Sequence, residues 1–172
     1  SAAMATEAYA RVKNELGVTL VTTGPGSTNA ITGICGSWTD SVPHLTISGQ
    51  VFLNQTVTGT KIRQLGIQEI NIVDIVKPVT KYSCMVTDPK TIKYHLDKAM
   101  YLAKIGRPGP VWIDIPADIQ NAQINVEDLI EFVPEEEYEP DIDKNLTEKV
   151  SKIVTLLKKS KRPLFHIGHG VR

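Results

Sequence analysis

VTLVTTGPGSTNAITGICGSWT, residues 18–39, is the stretch that decides the fold. Residues 18–22 predict a buried strand, a tight glycine turn follows, and residues 27–39 predict a helix capped by Ser27 or Thr28. Apolar side chains recur at helical spacing along that helix, at Ile31, Ile34, Cys35 and Trp38. A strand, a glycine turn and a helix start, in that order, are the usual place for a ligand in an open α/β sheet.

The glycine turn does not match the common phosphate motifs. Gly24 and Gly26 permit positive φ and the close approach of a ligand, and Pro25 cannot continue a strand ladder. No lysine follows the second glycine, as a nucleotide P-loop requires, and Asn29 stands where the dinucleotide motif needs its third glycine. The spacing of these residues alone is equally consistent with a turn that only connects the strand to the helix. A non-catalytic interaction module or a nucleotide-binding module therefore stays open as an alternative to an enzyme.

Length and composition exclude several classes of partner. The chain has 172 residues, with 19 Lys and Arg against 19 Asp and Glu, so its charge attracts neither nucleic acid nor an anionic membrane. No apolar run approaches the roughly 20 residues of a membrane helix, and no signal peptide is visible. Cys35 and Cys84 lie far apart and predict reduced thiols in a cytoplasmic protein.

The hydrophobic pattern predicts an open, mainly parallel α/β sheet with helices on both faces. Strands are predicted at residues 18–22, 44–48, 80–85 and 110–116. Helices are predicted at residues 1–15, 27–39, 67–76 and 90–105. Because the carboxyl ends of parallel strands meet at one edge, we expect residues 24–26 and residues 49–50 to border one site.

The chain divides into three predicted parts. They are a first domain at residues 1–122, an acidic interdomain linker at residues 123–144, and the first βα elements of a second α/β domain at residues 145–172. Nine acidic residues and no Lys or Arg lie between Glu127 and Asp143, which is typical of an exposed linker. In the third part, Asn145 and Glu148 resemble a capping box, and residues 163–167, PLFHI, predict a buried strand.

Six short motifs follow one another along the chain. They are GPGSTN (24–29), DSVP (40–43), ISGQV (47–51), QE (68–69), TK (80–81) and GRPGPVWIDIP (106–116). Their order and spacing resemble the thiamine-diphosphate enzymes of the acetolactate synthase type, over essentially the whole chain. In that family, this region is the later part of the pyrimidine-binding domain and leads into a middle domain. The resemblance therefore implies a fragment whose first domain is incomplete at its N-terminus.

The resemblance also implies roles for particular residues. Cofactor-binding positions are Gly24, Pro25, Gly26, Asn29 and Gln68, and substrate-entrance positions are Gln50 and Lys81. In the family, Pro25 and Asn29 face the pyrimidine ring of thiamine diphosphate, and Gln68 lines the pocket beside it. The family's activating glutamate is expected just upstream of Ser1, so we expect no catalytic residue in this chain.

The implied activity is decarboxylation of a 2-oxo acid such as pyruvate, followed by carboligation. The implied cofactors are thiamine diphosphate and Mg²⁺; a separate C-terminal domain holds the metal and the diphosphate in this family, so no metal ligands are expected here. A synthase is the first choice, and a decarboxylase, an aldehyde lyase or a sugar-pathway relative are alternatives. QLGIQE replaces the aromatic-Gln-Glu of synthases, which weakens the case for FAD. The fragment alone is expected to be inactive.

A second copy of the chain is the predicted partner, because the cofactor in this family bridges two subunits. Two contact surfaces are expected. One is the face of the helix at residues 27–39 that carries Gly33 and Gly36. The other is the unpaired edge of the strand at residues 163–167.

Overall fold

The computed structural model of the chain describes residues 1–134 and 143–168. The chain forms two compact units, Ser1–Pro134 and Glu135–Arg172. The strands of the first unit are β1 (Gly17–Val21), β2 (His44–Gln50), β3 (Tyr82–Met85) and β4 (Pro110–Pro116). Its helices are α1 (Ala2–Lys13), α2 (Pro25–Thr28), α3 (Ile31–Thr39), α4 (Ile72–Val76), α5 (Ile92–Lys104) and α6 (Ala117–Gln120). Within the described ranges, no helix has the length and apolar character needed to span a membrane.

The four strands form one parallel sheet in the order β1-β2-β4-β3. Gly17 lies opposite His44, His44 opposite Pro110, and Val111 opposite Tyr82. Parallel neighbours need crossover connections, and the helices between the strands supply them. The predicted open, parallel α/β sheet is confirmed.

Helices cover both faces of the sheet because β4 is apolar on both sides. Trp112 packs with Ile34 of α3 and Ile72 of α4 on one face. Its neighbours in β4 point the other way and pack with Ala99 and Ala103 of α5. Successive side chains of a strand alternate between faces, so a continuous apolar run produces two cores.

Helices α1 and α3 approach each other closely through small residues. A Cβ added at Gly33 would lie 2.7 Å from the Cβ of Ala3, and one added at Gly36 would lie 2.8 Å from a carboxylate oxygen of Glu7. These glycines therefore serve a contact inside the chain. The prediction that their helix face contacts a second copy is wrong, because α1 already occupies it.

Helix α4 is shorter than the sequence pattern predicts. The predicted helix spans residues 67–76, but α4 begins only at Ile72, where the side chain of Asn71 accepts a hydrogen bond from the backbone N–H of Asp74 at 3.2 Å. Gln68 has a φ of 56°, a left-handed conformation that no α-helix can contain. The segment before α4 is thus a turn.

The first part of the predicted linker packs against α5. The ring of Phe132 lies 5.7 Å from that of Tyr94 and 5.6 Å from that of Tyr101, measured between centroids. Glu131 pairs with Lys93 at 2.8 Å. Residues 135–142 of the predicted linker lie outside the described residues.

The described part of the second unit contains one helix, α7 (Leu146–Lys159). Its N-cap, Asn145, makes no side-chain capping bond; instead, Asp143 accepts from the backbone N–H of Asn145 at 3.0 Å and from Lys149 at 2.6 Å. Residues 163–167 are not a strand. The predicted strand and capping box are therefore wrong, and a lone apolar run without a neighbouring strand has nothing to pair with.

Candidate functional site

Polar side chains and glycines gather at the carboxyl edge of the sheet, where β1, β2 and β4 end. A cavity of about 640 Å³ opens there. Its lining includes Thr22 and Thr23 after β1, Gly49 and Gln50 at the end of β2, and Gln120 of α6. Residues 24–26 and residues 49–50 lie at the same edge, as the sequence predicts, because all strands of the sheet are parallel.

The glycine turn has a conformation that only glycine adopts easily. Gly24 has φ 58° and ψ −121° and is the N-cap of α2, with Pro25 as the first helical residue. A Cβ at Gly24 would lie 2.2 Å from the backbone oxygen of Gln68. The predicted capping by Ser27 or Thr28 is wrong, since the Ser27 hydroxyl donates backwards to the carbonyl of Thr22 at 2.7 Å.

Gln68 belongs to a second strained turn that lies against the first. Its own φ is 56°, and its backbone oxygen occupies the space that a side chain at Gly24 would need. Pro25, Asn29 and Gln68 are all exposed beside this contact. The structure therefore brings the predicted cofactor-binding residues into one neighbourhood, from segments about forty residues apart in the sequence.

Glu69, next to Gln68, anchors the long loop that precedes it. Its buried carboxylate accepts hydrogen bonds from the backbone N–H groups of Val57 at 3.0 Å and Leu65 at 3.3 Å. These bonds tie the middle of the loop to its end. As a result, the backbone next to Gln68, whose side chain is exposed, is held in place by hydrogen bonds.

Gln50 connects three parts of the site through its side-chain amide. Its oxygen accepts from the hydroxyl of Thr23 at 2.7 Å, and its nitrogen donates to the carbonyl of Ile70 at 3.0 Å and to Asp114 at 2.9 Å. The side chain is only 6% exposed. Gln50 thus links the glycine turn, the segment after Gln68 and strand β4.

Asp114 is a buried carboxylate that sequence analysis missed. The Ser48 hydroxyl donates to it at 2.5 Å and in turn accepts from the indole N–H of Trp112 at 2.8 Å. Burial raises the pKa of Asp114 to about 6, although the hydrogen bonds from Ser48 and Gln50 act in the opposite direction. One acidic residue inside the otherwise apolar strand PVWIDIP is the signal that could have identified it.

The described residues offer no evident metal centre. A smaller cavity of about 250 Å³ is lined by polar groups that include Glu69, Asp74 and Asp114. Even so, no group of three His, Cys, Asp or Glu side chains in residues 1–134 and 143–168 has the arrangement to hold a metal ion.

Lys81 lies at the opposite edge of the sheet from Gln50. It precedes β3, and its backbone N–H donates to the carbonyl of Pro110 at the start of β4. Its ammonium group donates to the carbonyl of Ile105 at 2.6 Å. The two predicted substrate-entrance residues are therefore not brought together within the chain.

Comparison with known proteins supports the reading of the fold and the motifs. Residues 1–75 match the family described as "Thiamine pyrophosphate enzyme, N-terminal TPP binding domain". The predicted resemblance to the thiamine pyrophosphate enzymes is confirmed by this match together with the relatives below. Within that class, the chain is similar to acetolactate synthases over nearly its whole length.

Three of these relatives show the extent of the similarity. The chain is 39% identical to the acetolactate synthase large subunit of Cyanidium caldarium over 99% of its length, 37% identical to the acetolactate synthase of Arthrospira platensis over 98%, and 39% identical to the large subunit of Haemophilus influenzae over 95%. It covers 28% of each of these proteins. The chain thus spans little more than a quarter of the length of these relatives.

Proposed function

We propose that the chain supplies the pyrimidine-binding side of the active site in a thiamine-diphosphate enzyme of the acetolactate synthase type. The reaction would be decarboxylation of pyruvate and carboligation to a second 2-oxo acid. Residues 1–122 would be the pyrimidine-binding domain, residues 123–144 the linker and residues 145–172 the start of the middle domain. The observation that carries the proposal is the contact of Gln68 with Gly24, which is next in sequence to Thr23 in the lining of the large cavity.

The exposed groups beside that contact suit a pyrimidine ring. The amides of Asn29 and Gln68 can each donate and accept, as an aminopyrimidine edge requires, and Pro25 presents an apolar ring. When bound, thiamine diphosphate supplies the electron sink for cleaving the bond next to a 2-oxo group, and these residues would orient its pyrimidine part.

The same residues are poorly suited to the charged end of the cofactor. The backbone oxygen of Gln68 points at Gly24, and an oxygen in that place opposes an anion at the turn. In the family that the chain resembles, a separate domain holds the metal and the diphosphate, so we propose that Mg²⁺ and the diphosphate are held elsewhere in the protein.

The proposal can be tested by NMR on the isotope-labelled chain. Thiamine is expected to shift the backbone amides of Gly24, Asn29 and Gln68, with weak affinity on the order of 1 mM, because one side of the site provides few contacts. Thiamine diphosphate should cause the same amide shifts, with the same affinity, in the presence and in the absence of Mg²⁺. Asn29→Ala should weaken the response, whereas Asn54→Ala, in the neighbouring loop, should leave it unchanged.

Two results would contradict the proposal. One is a response to a nucleotide such as AMP that equals or exceeds the response to thiamine, which would favour the nucleotide-binding alternative. The other is tight, Mg²⁺-dependent binding of thiamine diphosphate by the chain, which would require a diphosphate site in it.

A second copy of the chain is the proposed partner, and edge strand β1 is the proposed contact. The side chains of Val18 and Leu20 are 55% and 75% exposed, on the opposite face of β1 from the buried Thr19. Exposed apolar patches of this kind are typical of protein interfaces. We expect light scattering to give a dimer at tens of micromolar or above.

Leu20→Lys tests this contact directly. It should convert the dimer to a monomer, because it places a charge in the apolar contact. Val126→Lys, at a residue that is 74% exposed outside the sheet, is the matched control and should not change the mass. A monomeric parent chain, or equal effects of the two variants, would rule out β1 as the interface.

The thiols support a reducing compartment. Cys35 and Cys84 are both free and lie on different elements, α3 and β3. Since disulfides form in oxidising compartments, unpaired thiols suit a reducing one. We propose a cytoplasmic location on this ground.

A further inference from the structure

A second large cavity lies at the amino edge of the sheet, opposite the glycine turns. Its volume is about 460 Å³, within the range of small-molecule sites. The lining residues are Trp38, Thr39, Lys81, Arg107 and Pro108. They come from three separate segments that precede β2, β3 and β4, so the parallel sheet brings them together.

Two cations line this cavity, and both are held in place. The ammonium of Lys81 donates to the carbonyl of Ile105 at 2.6 Å. The guanidinium of Arg107 donates from Nε to the hydroxyl of Ser41 at 2.7 Å and from Nη2 to the carbonyl of Thr39 at 3.3 Å. Lysine has three N–H donors and arginine five, so these bonds leave several donors for a ligand.

Neither cation of the cavity forms an ion pair with a described acidic side chain. Among the described residues, the ion pairs of the chain involve Arg11, Lys93 and Lys149, and neither Lys81 nor Arg107 belongs to one. Burial lowers the pKa of Lys81, which shows that its charge is partly removed from water. An anion in the cavity would offset that desolvation.

The remaining wall of the cavity is flat and apolar. Trp38 is 40% exposed, in contrast to the fully buried Trp112. A Cβ at Gly109 would lie 3.2 Å from the Cδ of Lys81 and 3.9 Å from Cε3 of Trp38. The absence of a side chain at Gly109 thus leaves room for the lysine stem, and the indole ring lies near the same glycine.

We propose that this cavity binds a small aromatic carboxylate. The carboxylate would accept hydrogen bonds from Arg107 and Lys81, and the ring would pack against the indole of Trp38. An apolar wall favours such an amphipathic acid over inorganic phosphate, which has no apolar part to bury. The proposal does not depend on the thiamine site, because the two cavities lie at opposite edges of the sheet.

Benzoate is the probe for this site. Its binding to the 172-residue chain can be followed by the indole N–H signal of Trp38, assigned by its loss in Trp38→Phe. We expect saturable binding with a dissociation constant on the order of 1 mM, as suits a ligand of nine heavy atoms. Benzamide, the uncharged analogue, and inorganic phosphate should each bind at least about tenfold more weakly.

Charge-removing variants separate a ligand site from a purely structural role. Arg107→Gln should weaken benzoate binding about tenfold, and Arg107→Lys should weaken it less because it keeps the charge. Lys61→Gln, in the exposed loop after β2, is the matched control and should bind like the parent. Each variant is first checked for folding by its amide spectrum.

The proposal is overturned by any of three results. They are a failure of benzoate to saturate the signal of Trp38, binding of benzamide as tight as that of benzoate, and unchanged benzoate binding by folded Arg107→Gln. The last result would mean that Lys81 and Arg107 only satisfy the carbonyls at the ends of α3 and α5.

Discussion

Replacing Gly24 by alanine is expected to lower the free energy of unfolding by about 2–4 kcal/mol. Two costs add up in this variant. The φ of 58° and ψ of −121° at this position are unfavourable for a residue with a side chain. In addition, the new Cβ would lie 2.2 Å from the backbone oxygen of Gln68, and a backbone atom cannot rotate away as a side chain can.

Gly59→Ala is the matched control for this prediction. Gly59 also has a positive φ, 76°, but nothing lies within 4 Å of a Cβ placed there. Its replacement should therefore cost only the conformational strain, about 1 kcal/mol. Urea denaturation of both variants measures the difference. Equal losses of stability would show that the contact between Gly24 and Gln68 contributes nothing.

Gly24→Ala also distinguishes a local change of the turn from a loss of the whole fold. If the turn moves to accommodate Gly24→Ala, the amides of Gln68 and Glu69 should shift in the NMR spectrum, while those of Lys81 at the opposite edge should not. Thiamine binding should then be lost even where the protein remains folded. A folded variant that binds thiamine unchanged would contradict the proposed site.

The sheet could be predicted from the sequence because its signals are local and redundant. Each strand is a short apolar run, and the run in β4 is apolar on both faces, which indicates a buried parallel strand. Asp88 is an example of a local cap, since its side chain accepts a hydrogen bond from the backbone N–H of Lys90 at 2.9 Å. Such features depend on neighbours in the sequence.

The features that could not be predicted depend on distant partners. Gln68 adopts a left-handed turn because its carbonyl packs against Gly24, and no nearby residue specifies that contact. Similarly, Ser27 forms a hydrogen bond with the carbonyl of Thr22 in place of a cap. The residues at 163–167 have strand-like composition, but composition alone does not supply a pairing partner.

The candidate site also has one part that could be predicted from the sequence and one part that could not. Its glycines and Gln68 were identified through the resemblance to a family, and the parallel sheet explains why they meet. The network of Thr23, Gln50, Ser48 and Asp114 was not identified. Gln50 was predicted as a site residue and Asp114 stands out in an apolar strand, but nothing near them in the sequence specifies their partners. Only the tertiary structure places a buried carboxylate at the centre of these hydroxyl and amide groups.

Asp114 should make the stability of the chain fall as the pH rises from about 4 to about 6. Burial raises the pKa of this carboxyl from 3.8 to about 6 in the folded chain, so the folded state binds the proton more tightly than the unfolded state. Below pH 4 the group is protonated in both states, and above pH 6 it is charged in both. The loss over that interval is about 3 kcal/mol, at about 1.4 kcal/mol per pKa unit.

His44 makes the opposite contribution over nearly the same interval and must be separated from Asp114. Burial lowers the pKa of His44 from 6.5 to about 4, so the folded chain becomes more stable as the pH rises from 4 to 6.5. The parent chain alone can therefore show a nearly flat pH profile. The informative quantity is the difference in unfolding free energy between the parent and Asp114→Asn, because His44 is present in both.

That difference should decrease by about 3 kcal/mol between pH 4 and pH 7, since the asparagine does not titrate. Ser48→Ala sharpens the test. It removes a hydroxyl that donates to the charged carboxylate at 2.5 Å, so the pKa of Asp114 should rise further and the decrease should extend to higher pH. Urea denaturation at several pH values measures both effects. A difference that stays constant with pH would show that Asp114 titrates alike in the folded and unfolded chain, and that its network with Gln50 and Thr23 does not respond to protons.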